Sequence, residues 1–67
     1  MYGQRIKELR IERCLSQTQL AQALNTTQRT ISKYELEQLD LNTHTIISLC
    51  EFFNVTADYL LGLSDNY

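Results

Sequence analysis

Residues 17–36 predict two short helices joined by a tight turn, and this pair constrains the fold more than any other part of the chain. Its sequence is QTQLAQALNTTQRTISKYEL. The apolar positions recur at the spacing of a helix face: Leu20, Ala21, Leu24, Ile31 and Tyr34. Asn25 interrupts this spacing, and its short polar side chain tolerates the left-handed backbone of a turn. One face of the pair should therefore point inward, leaving the other to solvent or a ligand.

Residues that favour helix starts and stops recur along the whole chain. The predicted N-caps are Ser16, Thr27, Asn42 and Thr56. The predicted stops are Asn25, Asn54 and Gly62. Gln19 should complete a capping box with Ser16, and the first helix is expected from Gln4 to Arg13. With no proline, two glycines and 43% apolar residues, the sequence predicts an all-α fold, a compact five-helix bundle in one domain over residues 1–67.

The basic residues are confined to the first half of the chain, although the net charge is −2. All six lie at or before position 33: Arg5, Lys7, Arg10, Arg13, Arg29 and Lys33. Only Glu8 and Glu12 oppose them there, which leaves a local excess of +4, whereas residues 34–67 carry six acids and no Lys or Arg. The first half is therefore the expected surface for phosphate, and so small an excess predicts weak binding by one copy.

The cysteines and the histidine form no pattern typical of a metal site, so we expect neither metal nor cofactor. Cys14 and Cys50 have no CxxC spacing, and His44 has no companion ligand. Cys50 lies on an apolar helix face and is expected to be a buried hydrophobe rather than half of a disulfide. The N-terminus lacks the apolar core of a signal peptide, and no run approaches the ~18 apolar residues that span a bilayer. The expected compartment is the reducing cytoplasm, without a membrane partner.

Polar side chains suited to DNA lie on the outer face of the second helix of the pair: Gln28, Arg29, Ser32 and Lys33. Gln bonds the edge of adenine through two atoms, and Arg does the same to guanine. Their adjacency at a helix N-terminus suits the major groove. A solvated helix face is the alternative interpretation, and the capped helix before it favours DNA reading.

The chain resembles the helix-turn-helix family of lambdoid phage repressors and Cro, also called the xenobiotic-response-element family of bacterial regulators. The stretches that carry the resemblance are IKELRIERCLSQTQLAQALNTTQRTISKYE and FFNVTADYLLG, and the spacing between them fits without a gap. The resemblance implies five helices, with helices two and three as the DNA-binding unit. It also implies specific binding of a double-stranded operator and regulation of transcription, as a repressor and commonly as a dimer.

By position, the resemblance assigns DNA contacts to several residues. The base-contacting and neighbouring phosphate-contacting positions are Thr27, Gln28, Arg29 and Lys33. Gln17 matches the phosphate contact that opens helix two, and Asn42 at the start of helix four can act similarly, because a helix N-terminus offers free N–H groups to phosphate. The following loop departs from the family, with Glu37 replacing a common glycine, Asp40 a base and Leu41 a common proline.

Two further predictions concern contacts within and between copies. Arg10 shares a helix face with Ile6 and Leu9, so its charge points inward, and Glu35 on the buried side of helix three is the expected partner. The resemblance implies the same ion pair. Apolar residues left over from the core are expected at a homodimer interface: Leu39, Ile47, Phe52, Tyr59, Leu63 and Tyr67. The alternative is that helix five covers most of them.

A protein-interaction module of the antitoxin or antirepressor type is the alternative function, with the acidic half holding a protein partner. The adjacency of Gln28 and Arg29 favours DNA binding, since a purely protein-binding copy would not need it, and the two roles can coexist. The sequence contains no nucleophile with a base, no carboxylate pair in a pocket and no phosphate loop, so an enzyme is not expected.

Overall fold

The computed structural model describes residues 1–65, and five α-helices make up its secondary structure. They are α1 (Tyr2–Glu12), α2 (Gln17–Ala23), α3 (Gln28–Glu35), α4 (Thr43–Phe53) and α5 (Ala57–Leu60). The predicted all-α, five-helix architecture is confirmed. No helix in the described part of the chain is long and apolar enough to cross a membrane.

Four of the five helices begin with the side-chain caps predicted from the sequence. The capping side chains of Ser16, Thr27, Asn42 and Thr56 accept hydrogen bonds from the backbone N–H three residues on, at 2.8–3.3 Å. At Ser16 the Gln19 side chain also bonds back to the Ser16 amide at 2.8 Å, which completes the capping box. Each cap satisfies a backbone donor that lacks a helical acceptor, so local sequence fixes where these helices start.

One or two residues after the end of each helix lies a residue with a left-handed backbone. These residues are Cys14, Asn25, Glu37, Asn54 and Gly62, with φ between 57° and 80°. In every case the next residue donates its N–H to the carbonyl five residues back, at 2.8–3.0 Å, as in a Schellman motif. Asn and Gly tolerate this conformation well, and Gly62 does so at no steric cost. Cys14 and Glu37 do not, and neither position was predicted as a stop.

The core forms where all five helices meet. Its buried apolar side chains are Ile6, Leu9, Leu20, Ala21, Ile31, Tyr34, Leu49, Phe53, Tyr59 and Leu60. Cys50 is only half-buried and packs against this cluster. α3 packs against both α1 and α2, and α4 packs against α5.

Tyr59 is part of this core, so the prediction of an exposed Tyr59 at a dimer interface was wrong. Only 6% of its surface is exposed. The physical reason is Arg5 on α1, whose guanidinium lies 4.1 Å from the centre of the Tyr59 ring. A cation over an aromatic face is attracted to it, and the long Arg5 side chain shields the ring from water.

The start of α1 also differs from the prediction, because the helix begins at Tyr2 instead of Gln4. Gly3 explains why α1 begins two residues earlier than predicted. A Cβ at Gly3 would overlap the carbonyl group of Glu35, so only glycine lets α1 approach the end of α3 this closely. The Gly3 amide then donates to Glu37 Oε2 at 3.2 Å. A carboxylate at a helix N-terminus is favourable, which stabilises a first turn that has no side-chain cap of its own.

Candidate nucleic-acid interface

The outer face of α3 carries the polar residues that the sequence predicted. Gln28, Arg29 and Lys33 are exposed, and Ser32 is half-buried. Gln28 and Ser32 are one helical turn apart, as are Arg29 and Lys33, so the four side chains form two adjacent rows. This arrangement gives a patch with amide, guanidinium, hydroxyl and ammonium donors on the first turn and middle of one helix.

Thr27 and Asn42 are both exposed, and both use their side chains as helix caps. Thr27 Oγ1 accepts from the Thr30 amide at 3.3 Å, and Asn42 Oδ1 accepts from the Thr45 amide at 2.8 Å. The amide nitrogen of Asn42 is left to donate elsewhere. Asn42 opens α4 and shares no hydrogen bond with the α3 residues within residues 1–65. The structure therefore connects Thr27 to the α3 patch but does not join Asn42 to it.

Gln17 at the start of α2 is half-buried and bridges to α3 at two points. Its Oε1 accepts from Gln28 Nε2 at 2.6 Å, and its own Nε2 donates to Glu35 Oε1 at 3.1 Å. The bond to Gln28 ties the first residue of α3 to α2. The bond to Glu35 was not predicted, because the sequence places Glu35 among inward-facing residues and gives no sign that Gln17 reaches it.

Arg10 and Glu35 lie together as an ion pair between α1 and α3. Arg10 Nε donates to Glu35 Oε2 at 2.7 Å, and a second guanidinium nitrogen lies 3.3 Å from Glu35 Oε1. A third donates to the Leu15 carbonyl at 2.8 Å. The two side chains are only 13% and 5% exposed. Each buried polar group therefore has partners, as an ion pair shielded from water requires.

The positive charge of the first half is not spread over one binding surface as the sequence suggested. Arg10 is paired with Glu35. Arg13 donates to the Phe53 carbonyl at 2.6 Å, where its charge meets the C-terminus of α4. Arg5 lies against Tyr59 and donates to the Ser64 carbonyl at 3.5 Å, and the pKa of Arg5 is raised chiefly by its hydrogen bond with Tyr59.

The remaining basic side chains are Lys7, Arg29 and Lys33. All three are exposed and have no ion-pair partner within the described residues. The local excess of +4 therefore overstated the charge available to a ligand, because a count along the sequence does not separate paired cations from free ones. In residues 1–65 no three metal-ligating side chains come together.

Apolar side chains are exposed on the opposite half of the molecule. The exposed fraction is 52% for Ile47, 36% for Phe52 and 76% for Leu63, with Leu39 at 42%. The edge of the Phe52 ring packs against buried Phe53, with the centroids 5.0 Å apart. Of the remaining interface candidates, Tyr59 is buried and Tyr67 lies outside the described residues.

A capped α2, a tight turn and an α3 with an exposed polar face define a helix-turn-helix protein. Residues 3–65 match the helix-turn-helix domain family, and the chain belongs to that family. It is 38% identical to the HTH-type transcriptional regulator ImmR of Bacillus subtilis (strain 168) over 60 residues, which are 90% of this chain and 47% of ImmR. It is 32% identical to the uncharacterized HTH-type transcriptional regulator YobD of the same organism, over 98% of this chain and 59% of YobD. The chain spans about half the length of these relatives.

Solved structures agree with the fold. A crystal structure of the P22 c2 repressor with a synthetic operator matches 96% of this chain and 97% of that one, with a TM-score of 0.88 and 23% identity. The solution structure of the DNA-binding domain of the same repressor matches all of this chain and 91% of its own, with a TM-score of 0.83 and 25% identity. The resemblance to lambdoid repressors noted from the sequence is thereby confirmed.

Proposed function

We propose that this chain binds double-stranded DNA sequence-specifically, with α3 in the major groove, and that it represses transcription in the cytoplasm. The observation that carries the proposal is the exposed patch formed by Gln28, Arg29 and Lys33 on the second helix of a capped helix-turn-helix. The named relatives are transcriptional regulators, and the P22 neighbour was crystallised with an operator. A purely protein-binding role is not favoured by these likenesses.

The chemistry of α3 divides into base reading and phosphate binding. Gln28 and Arg29 occupy the first turn, where side chains of a docked helix reach base edges. Lys33 lies one turn further, and an ammonium group suits a phosphate oxygen as a point charge. Gln17 retains a second N–H on its Nε2 for a phosphate, and the amide nitrogen of Asn42 offers another. Thr27, next to the N-terminal amides of α3, lies where a helix favours an anion.

Selection of bound sequences from random DNA tests this proposal directly. We expect a short preferred half-site. Affinity for it should fall as salt rises, because the basic side chains release counterions from the phosphates and this release is less favourable in high salt. The matched control is Glu51→Gln, an exposed change on α4 that should leave the selected sequence unaltered. Equal recovery of all sequences at every salt concentration would reject sequence-specific binding.

We also propose that the working form is a homodimer built from the α4–α5 half. One copy reads few base pairs with few free cations, so useful affinity requires two half-sites about 34 Å apart. Ile47, Phe52 and Leu63 supply exposed apolar area away from α3. On so small a domain, apolar side chains of this size commonly mark an interface.

Sedimentation at micromolar concentration tests the dimer. Phe52→Glu or Leu63→Glu should yield a monomer, because a charge would be buried without a partner. Ile11→Glu is the matched control, since Ile11 is 55% exposed on α1, outside the proposed interface. A wild-type chain that stays monomeric both free and on a palindromic operator would reject the proposal.

A further inference from the structure

The first half of the chain exposes apolar side chains that the proposed DNA-binding patch does not include. Leu36 and Leu39 follow α3 and are 65% and 42% exposed, and Ile11 near the end of α1 is 55% exposed. The Tyr2 hydroxyl donates to the Leu39 carbonyl at 3.2 Å, which holds Leu39 beside the start of α1. Exposed apolar side chains close together on so small a domain are typical of a surface that another protein covers.

Two carboxylates lie at the same corner of the molecule. Glu37 Oε2 accepts from the Gly3 amide at 3.2 Å. Burial, followed by the nearby charges of Asp40 and Glu37, raises the pKa of the Tyr2 hydroxyl. Both acids are exposed, and within residues 1–65 neither forms an ion pair with a Lys or Arg. Since carboxylates repel phosphate, this corner is unsuited to DNA although it directly follows α3.

A basic side chain and an apolar one extend this corner along α1. Gly3, Lys7 and Ile11 are spaced four residues apart, so they lie in one row along the helix. The row starts at the corner, because the Gly3 amide bonds Glu37. Lys7 is exposed and has no ion-pair partner within the described residues. We call the surface formed by the row and the corner the α1–α3 flank: Lys7, Ile11, Leu36, Glu37, Leu39 and Asp40.

We propose that the α1–α3 flank binds the same surface of a second copy through a two-fold contact, joining copies that occupy neighbouring operators. The flank has positive charge toward one end and negative charge at the other. A two-fold axis sets two such surfaces in opposite directions, so Lys7 of each copy meets Asp40 of the other and the apolar side chains meet between them. The inference rests on the proposed DNA binding and adds a contact between bound copies.

The flank is too small to hold free copies together. It offers few exposed apolar side chains, and an exposed ion pair stabilises a contact only slightly, because water and salt screen both charges. Two copies on one DNA duplex differ from free copies, since the DNA holds them at a high local concentration. There a weak contact should raise the affinity for the second site by about tenfold, within the usual range of coupling between binding sites. The flank should therefore act as a source of cooperativity on DNA, while the α4–α5 half sets the state of the free protein.

The test uses DNA duplexes that carry one or two copies of the operator selected from random DNA. The centres of the paired operators are set apart in steps of half a helical turn, where one turn is about 10.5 bp. On the same side of the duplex, the second wild-type copy should bind about tenfold tighter than to an isolated operator. A half-turn offset should abolish this gain, because the two copies then lie on opposite sides. Quantitative footprinting measures the paired and the single operators in parallel.

Charge reversal tests which residues meet. Lys7→Glu should reduce the cooperative factor to about one, because carboxylates then face each other, and Asp40→Lys should do the same with two cations. The double variant Lys7→Glu/Asp40→Lys should restore cooperativity, since opposite charges again meet across the two-fold axis. Glu51→Lys is the matched control, because Glu51 is exposed on α4, outside the flank. Each factor is taken relative to the same variant's affinity for the single operator, so changes in phosphate binding cancel.

The results that would overturn this inference are distinct from those that would overturn the proposed function. Independent binding by the wild type at every spacing, with the single operator still bound specifically, would reject the contact alone and leave the flank to a partner of another kind. Cooperativity that survives both single variants, or that the double variant does not recover, would reject the pairing of Lys7 with Asp40. Loss of specific binding to the single operator in the wild type would reject the proposed function and this inference with it.

Sedimentation of the free protein separates the flank from the proposed α4–α5 interface. Lys7→Glu should sediment as the wild type does at micromolar concentration, because the flank contact forms only between copies on DNA. A monomeric Lys7→Glu beside a dimeric wild type would make the flank the interface of the free dimer and would overturn the inference. Equal weakening of the single and the paired operators by Lys7→Glu would make Lys7 a phosphate contact, and would overturn it as well.

Discussion

The two halves of the molecule differ in the charge they expose, although both expose apolar side chains, such as Ile11 and Leu36 in the first half. Residues 1–37, with α1 to α3, place exposed Arg29 and Lys33 beside a polar network that fixes Gln17 and Gln28. Residues 38–65, with α4 and α5, carry no Lys or Arg and expose apolar side chains such as Phe52 and Leu63. A polar, charged ligand is bound by groups held in advance at fixed positions, whereas an apolar partner requires only area and shape. The contrast matches the proposed roles, with DNA on the first half and a second copy of the chain on the other.

The halves also differ in how their helices end. Asn54 and Gly62 end α4 and α5, and both tolerate a left-handed backbone. In the first half only Asn25 is of this type, because Cys14 and Glu37 have φ values of 57° and 58°. A left-handed conformation costs an ordinary residue about 1–2 kcal/mol. The half that carries the proposed recognition surface therefore also carries the backbone strain.

The largest effect should come from the ion pair that holds the first half together. Glu35→Ala strands the Arg10 guanidinium, which is only 13% exposed, and should lower the free energy of unfolding by about 3–5 kcal/mol. In a domain of 67 residues that is enough to unfold a large share of molecules. Urea denaturation followed by circular dichroism measures it. Glu51→Ala, on the exposed surface of α4, should change stability by less than about 0.5 kcal/mol, and equal losses in the two variants would remove the contrast.

The next effect concerns affinity for DNA. Arg29→Ala should lose about 1–3 kcal/mol on the preferred operator and relax the preference at one base pair, because a base contact is removed. Lys33→Ala should weaken all sequences alike and reduce the salt slope by about one. Titrations against operator and random DNA at several salt concentrations separate the two. If Arg29→Ala weakened both DNAs equally, Arg29 would be a phosphate contact.

Replacing the strained residues should have a smaller effect on stability. Cys14→Gly relieves a left-handed backbone at an exposed side chain, so it should stabilise by about 0.5–1 kcal/mol, after the greater flexibility of glycine in the unfolded chain is subtracted. Glu37→Gly relieves similar strain but loses the carboxylate that bonds Gly3, so it should be close to neutral. Thermal unfolding of both variants tests the pair. A similar gain in both would show that the Glu37 carboxylate does not stabilise α1.

The smallest expected difference is in thiol chemistry, with one cysteine in each half. Burial raises the pKa of the Cys50 thiol, whereas Cys14 is exposed. Near neutral pH the raised pKa leaves a smaller fraction of Cys50 as thiolate than in an unperturbed cysteine, and burial restricts access to its sulfur. Iodoacetamide should therefore modify Cys14 several-fold faster. Raising the pH through the pKa of Cys50 should narrow the gap. Mass spectrometry of partly labelled protein measures both rates, and faster labelling of Cys50 would contradict its burial.

Local sequence predicts helix starts and some helix ends, because each depends on a few neighbouring residues. Ser16, Thr27 and Asn42 cap as their side chains indicate. The start of α1 could not be predicted, because Met1 gives no side-chain cap and the helix is stabilised by Glu37, which is distant in sequence. The end at Cys14 could not be predicted for a similar reason, since cysteine does not favour a left-handed backbone.

The candidate site was predictable as a face but not as a network. The spacing of Gln28, Arg29, Ser32 and Lys33 places them together on any helix, and this follows from periodicity alone. The contact between Gln17 and Glu35 depends on how α2 crosses α3, which no local pattern specifies. Tyr59 shows the same limit, because only the three-dimensional arrangement brings Arg5 over its ring.

The engagement of Arg5, Arg10 and Arg13 within the fold affects how the domain would search a chromosome. Each phosphate neutralised by a cation releases counterions, which contributes about −0.9 to the slope of log affinity against log salt. Within residues 1–65, only Lys7, Arg29 and Lys33 among the basic side chains make no hydrogen bond or ion pair, so one copy should hold arbitrary DNA weakly. It should leave wrong sequences quickly, which keeps more molecules available for the few sites where base contacts add to the phosphate contacts.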